Sequence, residues 1–519
     1  MPLFRRIMGL ETEYGLSLTG LAGLTGQVAD AACERPDPSA ESLAALLFRP
    51  VQRRYRAANT FLPNGSRIYL DVGAHPEYAT AEAIRPRDLL VADLAGESLM
   101  KDLCHQAQAE VERSYGPQSI FHLFKNNVDS QGNAFGCHEN YLIHRGLGLL
   151  LLKETLIPFL VTRQIFTGTG HMDQNGFQLS ARADFLDEAV SSATTHSRPM
   201  INTRDETHAD SRLYRRLHVI AGESNRSQTA TWMKAAITHL VLCLIEEAWE
   251  EDEEGEGKGD RRLDDLRRSF ALTDPAAAMR EISHSLGQTP ILLEDGRRLT
   301  AARIQGLYWD RICSMADRHQ EEIERVEPAY RRLLDLWKET IDRFLSMEED
   351  PGSQAWLKLV PWVDWAAKRL LLEKVAGRPV QDFPQGSRPG LLRLIQMDQA
   401  YHDLAQDLVY RSLLDRGVVR RQAQDDQVAF FRDHAPQSTR ARMRAALIRL
   451  AQDHNLTWSC DWTHCTILSP LSSCPDLTVD LLDPFRDQDE AALETARSTV
   501  DGWAGQVEAD SAADLFPML

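Results

Sequence analysis

The sequence lacks an excess of positive charge and lacks the usual phosphate-binding loops. Its 519 residues include 58 Lys and Arg against 76 Asp and Glu, a formal net charge of -18. Nucleic acids and anionic membranes attract proteins through an excess of Lys and Arg, so we expect neither as a partner, and an acidic partner would need a local basic groove. No GxxxxGK[ST] occurs, and no GxGxxG follows a strand. A nucleotide would therefore have to be held by another kind of surface.

Zinc-type cysteine pairs and long uninterrupted apolar runs are also missing. The eight cysteines form no CxxC pair, and the nearest neighbours, Cys460 and Cys465, have no second ligand pair at zinc-site spacing. The sequence therefore predicts reduced thiols and no structural zinc. The richest apolar run, LGLLLLKETLIPFLV, is interrupted by two charged residues, and the start of the chain has no apolar signal-peptide core. We therefore expect a cytoplasmic protein without a membrane partner.

Length and a shift in composition predict two domains. A chain of 519 residues exceeds the size at which one hydrophobic core stays efficient. After Gly417 the composition changes, and a helix followed by a strand suggests a separate small unit. We therefore expect a large domain over residues 1–417 and a small domain over residues 418–519, the latter ending in an extension.

The stretch RIYLDVGAHPEYATAE places unusual side chains on one strand face. Alternate residues of a strand point to opposite faces, so Arg67, Tyr69 and Asp71 share one face. Ile68, Leu70 and Val72 share the other face and are expected to pack on helices. A solvated polar face is the ordinary alternative for such a strand.

Further carboxylates accompany this strand. Glu11 and Glu13 are two apart in the strand-like ETEYG, and Glu77 and Glu82 follow the stretch above. Carboxylates that lie side by side repel, and hard divalent cations with oxygen ligands offset that charge. Mg²⁺ shares its coordination sphere with phosphates, so it would imply a nucleotide. A nucleotide held on an open sheet face by metal ions and arginines is typical of ligases that activate a carboxylate.

Two other clusters have weaker chemical interpretations. INTRDETHADSRLYRRLHVI concentrates Arg and His, and it fits a surface helix with ion pairs as well as a functional site. Four of its arginines are candidates for a basic groove that would bind an acidic partner: Arg204, Arg212, Arg215 and Arg216. A Cys–His nucleophile in GCHENY is disfavoured, because Cys137 and His138 would point to opposite faces of a strand.

An ordered series of motifs resembles one known family. The motifs, in chain order, are MGLETEYG, NGSRIYLDVGAHPEYATAE, LFKNNVDSQGNAFGCHENYL, PFLVTRQ, VSSATTHSRPMINTRDETHAD, YRRLHVI, MDQAYHDL, APQSTRARMR and DPFR. Together they resemble the ligases and deamidases of the prokaryotic ubiquitin-like protein, Pup, from about Met8 to Arg486. The resemblance implies an α+β fold: a large glutamine synthetase-like domain with a mostly antiparallel, curved β-sheet cradle packed on helices, and a small C-terminal α/β domain that contributes to the nucleotide site.

The resemblance also implies a reaction and a set of site residues. ATP-Mg²⁺ would phosphorylate the side-chain carboxylate of the C-terminal Glu of a Pup-like modifier, and a lysine of a target protein would attack the resulting γ-glutamyl phosphate. Carried over position by position, the implied Mg²⁺ ligands are Glu11, Tyr69 and Glu77, the implied ATP contacts are Arg67, Thr80 and Trp462, and the implied catalytic base is Asp71.

Ligases and deamidases of this family share these residues, so other features must separate them. LDVGAHPEYATAE, GCHENY and FLVTRQ match the ligase forms, and the connection between the two acidic strands is short. We therefore expect the ligase, with a deamidase or depupylase (an isopeptide hydrolase) as the alternative. A small-molecule glutamate-amine ligase would have less need of a basic groove, and a non-catalytic scaffold would be expected to lose the metal ligands.

Overall fold

The computed structural model describes residues 3–20, 38–71, 73–129, 132–192, 198–253, 259–383 and 389–515. Its strands are β1 (Met8–Glu13), β2 (Gly15–Thr19), β3 (Thr60–Phe61), β4 (Arg67–Leu70), β5 (Pro76–Ala79), β6 (Ile120–Phe124), β7 (Cys137–His144), β8 (His171–Asp173), β9 (Gly176–Gln178), β10 (Glu188–Ser191), β11 (Pro199–Asn202), β12 (Tyr214–Val219), β13 (Ile291–Leu292), β14 (Arg298–Leu299), β15 (Trp458–Cys460), β16 (His464–Ile467) and β17 (Leu477–Asp480).

The helices lie mainly in the middle of the chain. They are α1 (Ala40–Tyr55), α2 (Pro86–Tyr115), α3 (Leu149–Thr155), α4 (Ile157–Thr162), α5 (Gln164–Thr167), α6 (Gln228–Glu253), α7 (Gly259–Phe270), α8 (Pro275–His284), α9 (Ala301–Arg318), α10 (Gln320–Val326), α11 (Tyr330–Glu349), α12 (Asp364–Ala376), α13 (Pro389–His402), α14 (Leu408–Asp415), α15 (Asp425–Asp433), α16 (Ala441–Asp453) and α17 (Glu490–Leu515). Within the described ranges, no helix combines the length and the apolar character needed to cross a membrane.

One eight-stranded sheet organises the large domain. Its strand order is β10-β11-β12-β7-β1-β5-β4-β3. The β10–β11 pair is parallel, and the other neighbouring pairs are antiparallel. The expected α+β fold with a mostly antiparallel sheet on helices is therefore confirmed.

The apolar face of this sheet packs on helices as the alternation predicts. Ile68 and Tyr78 are buried in one cluster with Met100 of α2. Leu70 is partly buried against the same cluster, and Val72 lies outside the described residues. Because this face takes up the apolar side chains, the polar side chains of the same strands lie together on the other face.

A small C-terminal layer covers the β3 end of the sheet. It comprises the sheet β15-β16-β17 with α16 and α17. Its apolar cluster includes Leu447 and Cys465 together with Phe61 of β3, so the layer packs directly on the large sheet. α15 contacts α2, where Arg432 pairs with Asp102. The division at residues 417 and 418 stays a prediction.

Several local expectations are corrected or fall outside the description. Cys460 and Cys465 are cross-strand partners with Cα atoms 4.2 Å apart and are joined in a disulfide, so the prediction of reduced thiols is wrong for this pair. The Arg- and His-rich stretch forms β11, a loop and β12, so its interpretation as a helix is also wrong. Residues 21–37 and 254–258 lie outside the described residues.

Candidate active site

Neighbouring strands bring nearly all of the predicted site residues to one face of the sheet. The register of β1, β5 and β4 sets Glu13 opposite Glu77 and Glu77 opposite Tyr69. On the other side of β1, Glu11 lies opposite His138 of β7. The polar face therefore carries a continuous row of side chains: Arg67, Tyr69, Glu77, Glu11, Glu13, His138, Asn140, Arg216 and His218.

One group on this face consists of carboxylates alone. Oxygen atoms of Glu13, Asp71 and Glu77 lie within 4.8 Å of one another, a spacing that suits metal coordination. Burial, followed by the negative charges of Glu11 and Glu13, raises the pKa of the Glu77 carboxyl well above its usual value. The Tyr69 hydroxyl donates a hydrogen bond to Glu77. A hard divalent cation would relieve the repulsion among these carboxylates.

A second group surrounds Glu11. One of its oxygens, Oε2, lies 3.4 Å from both His138 Nδ1 and His218 Nε2. The other, Oε1, accepts hydrogen bonds from Asn140 Nδ2 at 3.2 Å and from Arg216 Nη1 at 3.4 Å. Burial alone would raise the pKa of the Glu11 carboxyl. The two histidines and Arg216 outweigh burial and lower this pKa well below its usual value. Glu11 is therefore a carboxylate inside a ring of donors.

The predicted metal ligands fall across these two groups. Tyr69 and Glu77 are in direct contact, and Glu11 occupies the neighbouring ring of donors. The all-oxygen group fits the preference of Mg²⁺ for oxygen ligands. Glu13 and Asp71 join Glu77 there, so the structure offers two oxygen ligands beyond the predicted set. That set stays a prediction.

Two of the predicted ATP contacts, Arg67 and Trp462, meet at Phe61. The Arg67 guanidinium lies 4.5 Å from the Tyr69 ring centroid and 6.0 Å from that of Phe61. Phe61 in turn packs edge-on against Trp462, with ring centroids 4.9 Å apart. Thr80 and Trp462 both line one cavity between the sheet and the C-terminal layer. The structure therefore brings Arg67, Thr80 and Trp462 to adjoining positions.

Two further residues line this cavity, His208 from the Arg- and His-rich stretch and Arg440, which the sequence did not single out. His208 has a φ of 53°, and its ring lies 6.1 Å from that of Trp462. Burial, then Arg216, lowers the pKa of His208 to about 4, so the imidazole is neutral at pH 7. Arg440 of α16 lines the same cavity. No local pattern could have found Arg440, because the loop before β12 and the start of α16 meet only in the folded chain.

Two expectations about neighbouring residues are settled by geometry. Glu82 is not part of the carboxylate group, because it is buried in ion pairs with Arg440 and Arg444. Cys137 is buried behind the sheet while His138 faces Glu11, so the expected separation of these two residues is confirmed.

The arginines proposed for a basic groove do not form a single row. Arg215 donates to Leu147 O, whereas the next residue, Arg216, points to Glu11 and Glu206. Arg212 is highly exposed and pairs with Asp210. The groove stays a prediction, with Arg216 as the member that reaches the site.

Comparison with known proteins assigns the chain to a family. The model of the family described as Pup-ligase protein matches residues 6–466. The chain belongs to this family. It is 42% identical, over 95% of its length and 94% of the relative's, to the Pup–protein ligase of Bifidobacterium longum strain NCC 2705.

Two solved structures of the same family resemble the whole chain. One is the complex between Pup and its ligase PafA, at a TM-score of 0.78 and 31% identity over 99% of this chain and 96% of that one. The other is PafA in complex with ADP, at a TM-score of 0.70 and 32% identity over 92% of this chain and 98% of that one. The glutamine synthetase-like fold class expected from the motifs is confirmed.

Proposed function

We propose that this protein is an ATP-dependent ligase that joins the side-chain carboxylate of the C-terminal Glu of a Pup-like modifier to a lysine of a target protein. The observation that carries this proposal is the likeness of the whole chain to a ligase solved with its modifier and to one solved with ADP. The polar sheet face supports it, because the carboxylates and the arginine expected of such a site lie together there, and the expected tryptophan reaches Phe61 from the C-terminal layer.

The nucleotide is held between the sheet and the C-terminal layer in this proposal. Trp462 and the neutral His208 line the apolar part of the cavity. Arg67 lies against Tyr69, next to the acidic group, and places a positive charge where phosphate would approach. The Thr80 hydroxyl accepts a hydrogen bond from Leu10 N at 3.0 Å, so its oxygen is fixed at the cavity wall.

The acidic group is the proposed Mg²⁺ site. The proposed ligands are Glu77, the Tyr69 hydroxyl that hydrogen-bonds to it, and Glu11 from the neighbouring ring of donors, with Glu13 and Asp71 beside Glu77. When bound, Mg²⁺ neutralises charge that develops on phosphate oxygens. The carboxylates would hold Mg²⁺ on the polar face of the sheet. Arg67 adds a positive charge that does not depend on the metal.

Asp71 is the proposed base in the second step. A lysine attacks the γ-glutamyl phosphate only as the neutral amine, so a carboxylate must take its proton or orient it. Asp71 follows β4 at the tip of the β4–β5 hairpin, where its backbone N–H donates to His75 O at 2.9 Å. This hairpin holds the carboxylate at the edge of the acidic group, where an incoming amine would arrive.

The experiment combines the protein with ATP-Mg²⁺, a Pup-like modifier ending in Glu and a lysine-bearing protein. The proposal predicts ADP and a new isopeptide bond in equal amounts, the bond being located by peptide mass spectrometry. A matched reaction starts from a modifier ending in Gln. Release of ammonia from it, or cleavage of a preformed conjugate without net ligation, would favour the hydrolase instead. The cytoplasmic location stays a prediction.

A further inference from the structure

Glu82 is a fully buried carboxylate at the junction between the sheet and the C-terminal layer. It follows Thr80 by two residues, and only 6% of its surface is exposed. Arg440 Nε lies 2.7 Å from Glu82 Oε1, and Arg444 Nη1 lies 2.8 Å from Oε2. Both arginines belong to the start of α16 or directly precede it. One acidic side chain from the large domain thus binds two arginines from the C-terminal layer.

The same two guanidinium groups also hold the backbone around the nucleotide cavity. Arg444 Nη2 donates to Trp462 O at 3.0 Å, and its Nη1 donates to Gly65 O at 3.0 Å. Arg440 Nη1 donates to Leu481 O at 3.0 Å. Arg444 is therefore bonded at once to Glu82, to the turn that leads into β4 and to Trp462.

Ring contacts extend this connection to the other proposed ATP residues. The Arg444 guanidinium lies 4.9 Å from the Phe61 ring centroid and 5.1 Å from that of Trp462. Phe61 also contacts the Arg67 guanidinium. A displacement of Arg444 would therefore move Trp462 and loosen the packing around Phe61.

We propose that Glu82 is a positioning residue for the nucleotide: through Arg444 it fixes Trp462 over the cavity and so sets the affinity for ATP. This inference rests on the proposed function, in which Trp462 contacts the nucleotide. Removing the carboxylate charge leaves two buried guanidinium groups without their counter-charge. The least costly response is for α16 to move outward, which carries Trp462 away from the sheet.

The test compares Glu82→Gln with Glu246→Gln in the full-length protein. Glu246 is also a buried carboxylate, and its hydrogen-bond partners among the described residues are Arg6, at 2.5 Å, and His144 N, neither of which lines the cavity. Both changes remove one charge from a buried carboxylate–arginine pair, so both are expected to lower thermal stability. ADP and ATP affinities are measured by calorimetry, and the KM values for ATP and for the modifier are measured in the ligation assay.

Glu82→Gln is expected to raise the Kd and KM for ATP by about tenfold, the lower end of the loss in affinity seen when a residue that supports a ligand-contacting residue is removed. The KM for the modifier is expected to stay unchanged. Glu246→Gln is expected to change neither KM. Equal losses of ATP affinity in both variants, or unchanged ATP affinity in Glu82→Gln, would overturn the positioning role.

A second variant keeps the inference testable where Glu82→Gln folds poorly. Arg444→Lys retains a positive charge opposite Glu82, but a single ammonium cannot reach Glu82, Gly65 O and Trp462 O together. It is expected to weaken ATP binding in the same selective way, and wild-type affinity in this variant would contradict the inference. A wild-type protein that binds no nucleotide would overturn both proposals, whereas normal wild-type binding with unaffected variants overturns only this one.

Discussion

At the scale of single residues, the site sets carboxylates with opposite pKa shifts side by side. Burial and like charges raise the pKa of Glu77, whereas histidines and Arg216 lower that of Glu11. Glu11 is therefore held as an anion, whereas burial and neighbouring negative charges disfavour the ionised form of Glu77. Asp71 lies at the margin of the acidic group, so its two possible roles, base and metal ligand, can be separated by substitution.

Asp71→Asn separates phosphoryl transfer from amine attack. Asn is nearly isosteric with Asp but cannot accept the proton of the attacking lysine. Isopeptide formation should fall by about 10²–10⁴-fold, while ATP affinity changes far less. The rate loss should shrink as the pH rises toward the pKa of lysine, because more of the amine is then neutral.

Asp295→Asn, in the exposed turn between β13 and β14, is the control. Near wild-type ligation would remove Asp71 from the mechanism, and loss of ATP binding would make it a metal ligand.

Glu13→Gln and Glu77→Gln test the acidic group as a Mg²⁺ site. Each removes one anionic oxygen ligand, so the Mg²⁺ concentration for half-maximal ATP turnover should rise by at least about tenfold. Glu77→Gln should have the larger effect, because the resemblance assigns a metal ligand there. Glu188→Gln, at the exposed far edge of the same sheet, is the control. If neither Glu13→Gln nor Glu77→Gln changed the Mg²⁺ concentration for half-maximal ATP turnover, the metal would lie elsewhere.

At the scale of elements, local periodicity predicted which side chains share a strand face. It could not predict contacts that depend on which distant segments pair. Ser39 accepts a hydrogen bond from Ser42 N and caps α1. The strand-like stretch around ETEYG is divided between β1 in the large sheet and β2, which pairs with β6. Alternation correctly placed Glu11 with Glu13 on one face of β1 and Arg67 with Tyr69 on one face of β4. It could not show that Glu82, only two residues beyond Thr80, would meet arginines from α16.

The contact between α2 and the sheet depends on a helical glycine. A Cβ added at Gly96 would overlap the Tyr78 ring, whose hydroxyl hydrogen-bonds to Ser66 Oγ at 2.8 Å. Gly96→Ala should therefore destabilise the fold by about 1–3 kcal/mol, the usual cost of overpacking. Gly306→Ala, in α9, is the matched control. The nearest atom to its added Cβ is 3.9 Å away, so it should gain about 0.5–1 kcal/mol from helix propensity. Chemical denaturation measures both, and equal effects would contradict the packing described here.

At the scale of the whole molecule, the proposed nucleotide cavity is completed by two parts of the chain far apart in sequence. Trp462 comes from the C-terminal layer, and Thr80 from the large sheet. The length of the chain predicted two domains, and its net negative charge argued against a nucleic-acid partner. The ordered motifs indicated the family. None of these features could predict the disulfide between Cys460 and Cys465 or the buried ion pairs, because these depend on the register of strands and on helix placement.

The buried Glu82 ion pairs should make the junction sensitive to acid. Burial raises the pKa of Glu82, but Arg444 and Arg440 more than offset this and lower it to about 2. A carboxyl whose folded pKa lies below its unfolded value stabilises the fold above the unfolded pKa and loses that contribution as the pH falls toward the folded pKa. The stability difference between wild type and Glu82→Gln should therefore shrink by up to about 3 kcal/mol between pH 6 and pH 2. Urea titrations across this range measure it, and a constant difference would show that Glu82 is not held as an anion.

The central claim, activation of the modifier by phosphorylation of its terminal carboxylate, is tested most directly by oxygen transfer. A Pup-like modifier is prepared with ¹⁸O in the side-chain carboxylate of its C-terminal Glu and is ligated to a target lysine with unlabelled ATP. Passage through a γ-glutamyl phosphate breaks the bond between carbon and the labelled oxygen when the amine attacks. The account predicts that ¹⁸O appears in the released phosphate in step with isopeptide formation. Isopeptide bonds formed while the phosphate stays unlabelled would contradict it.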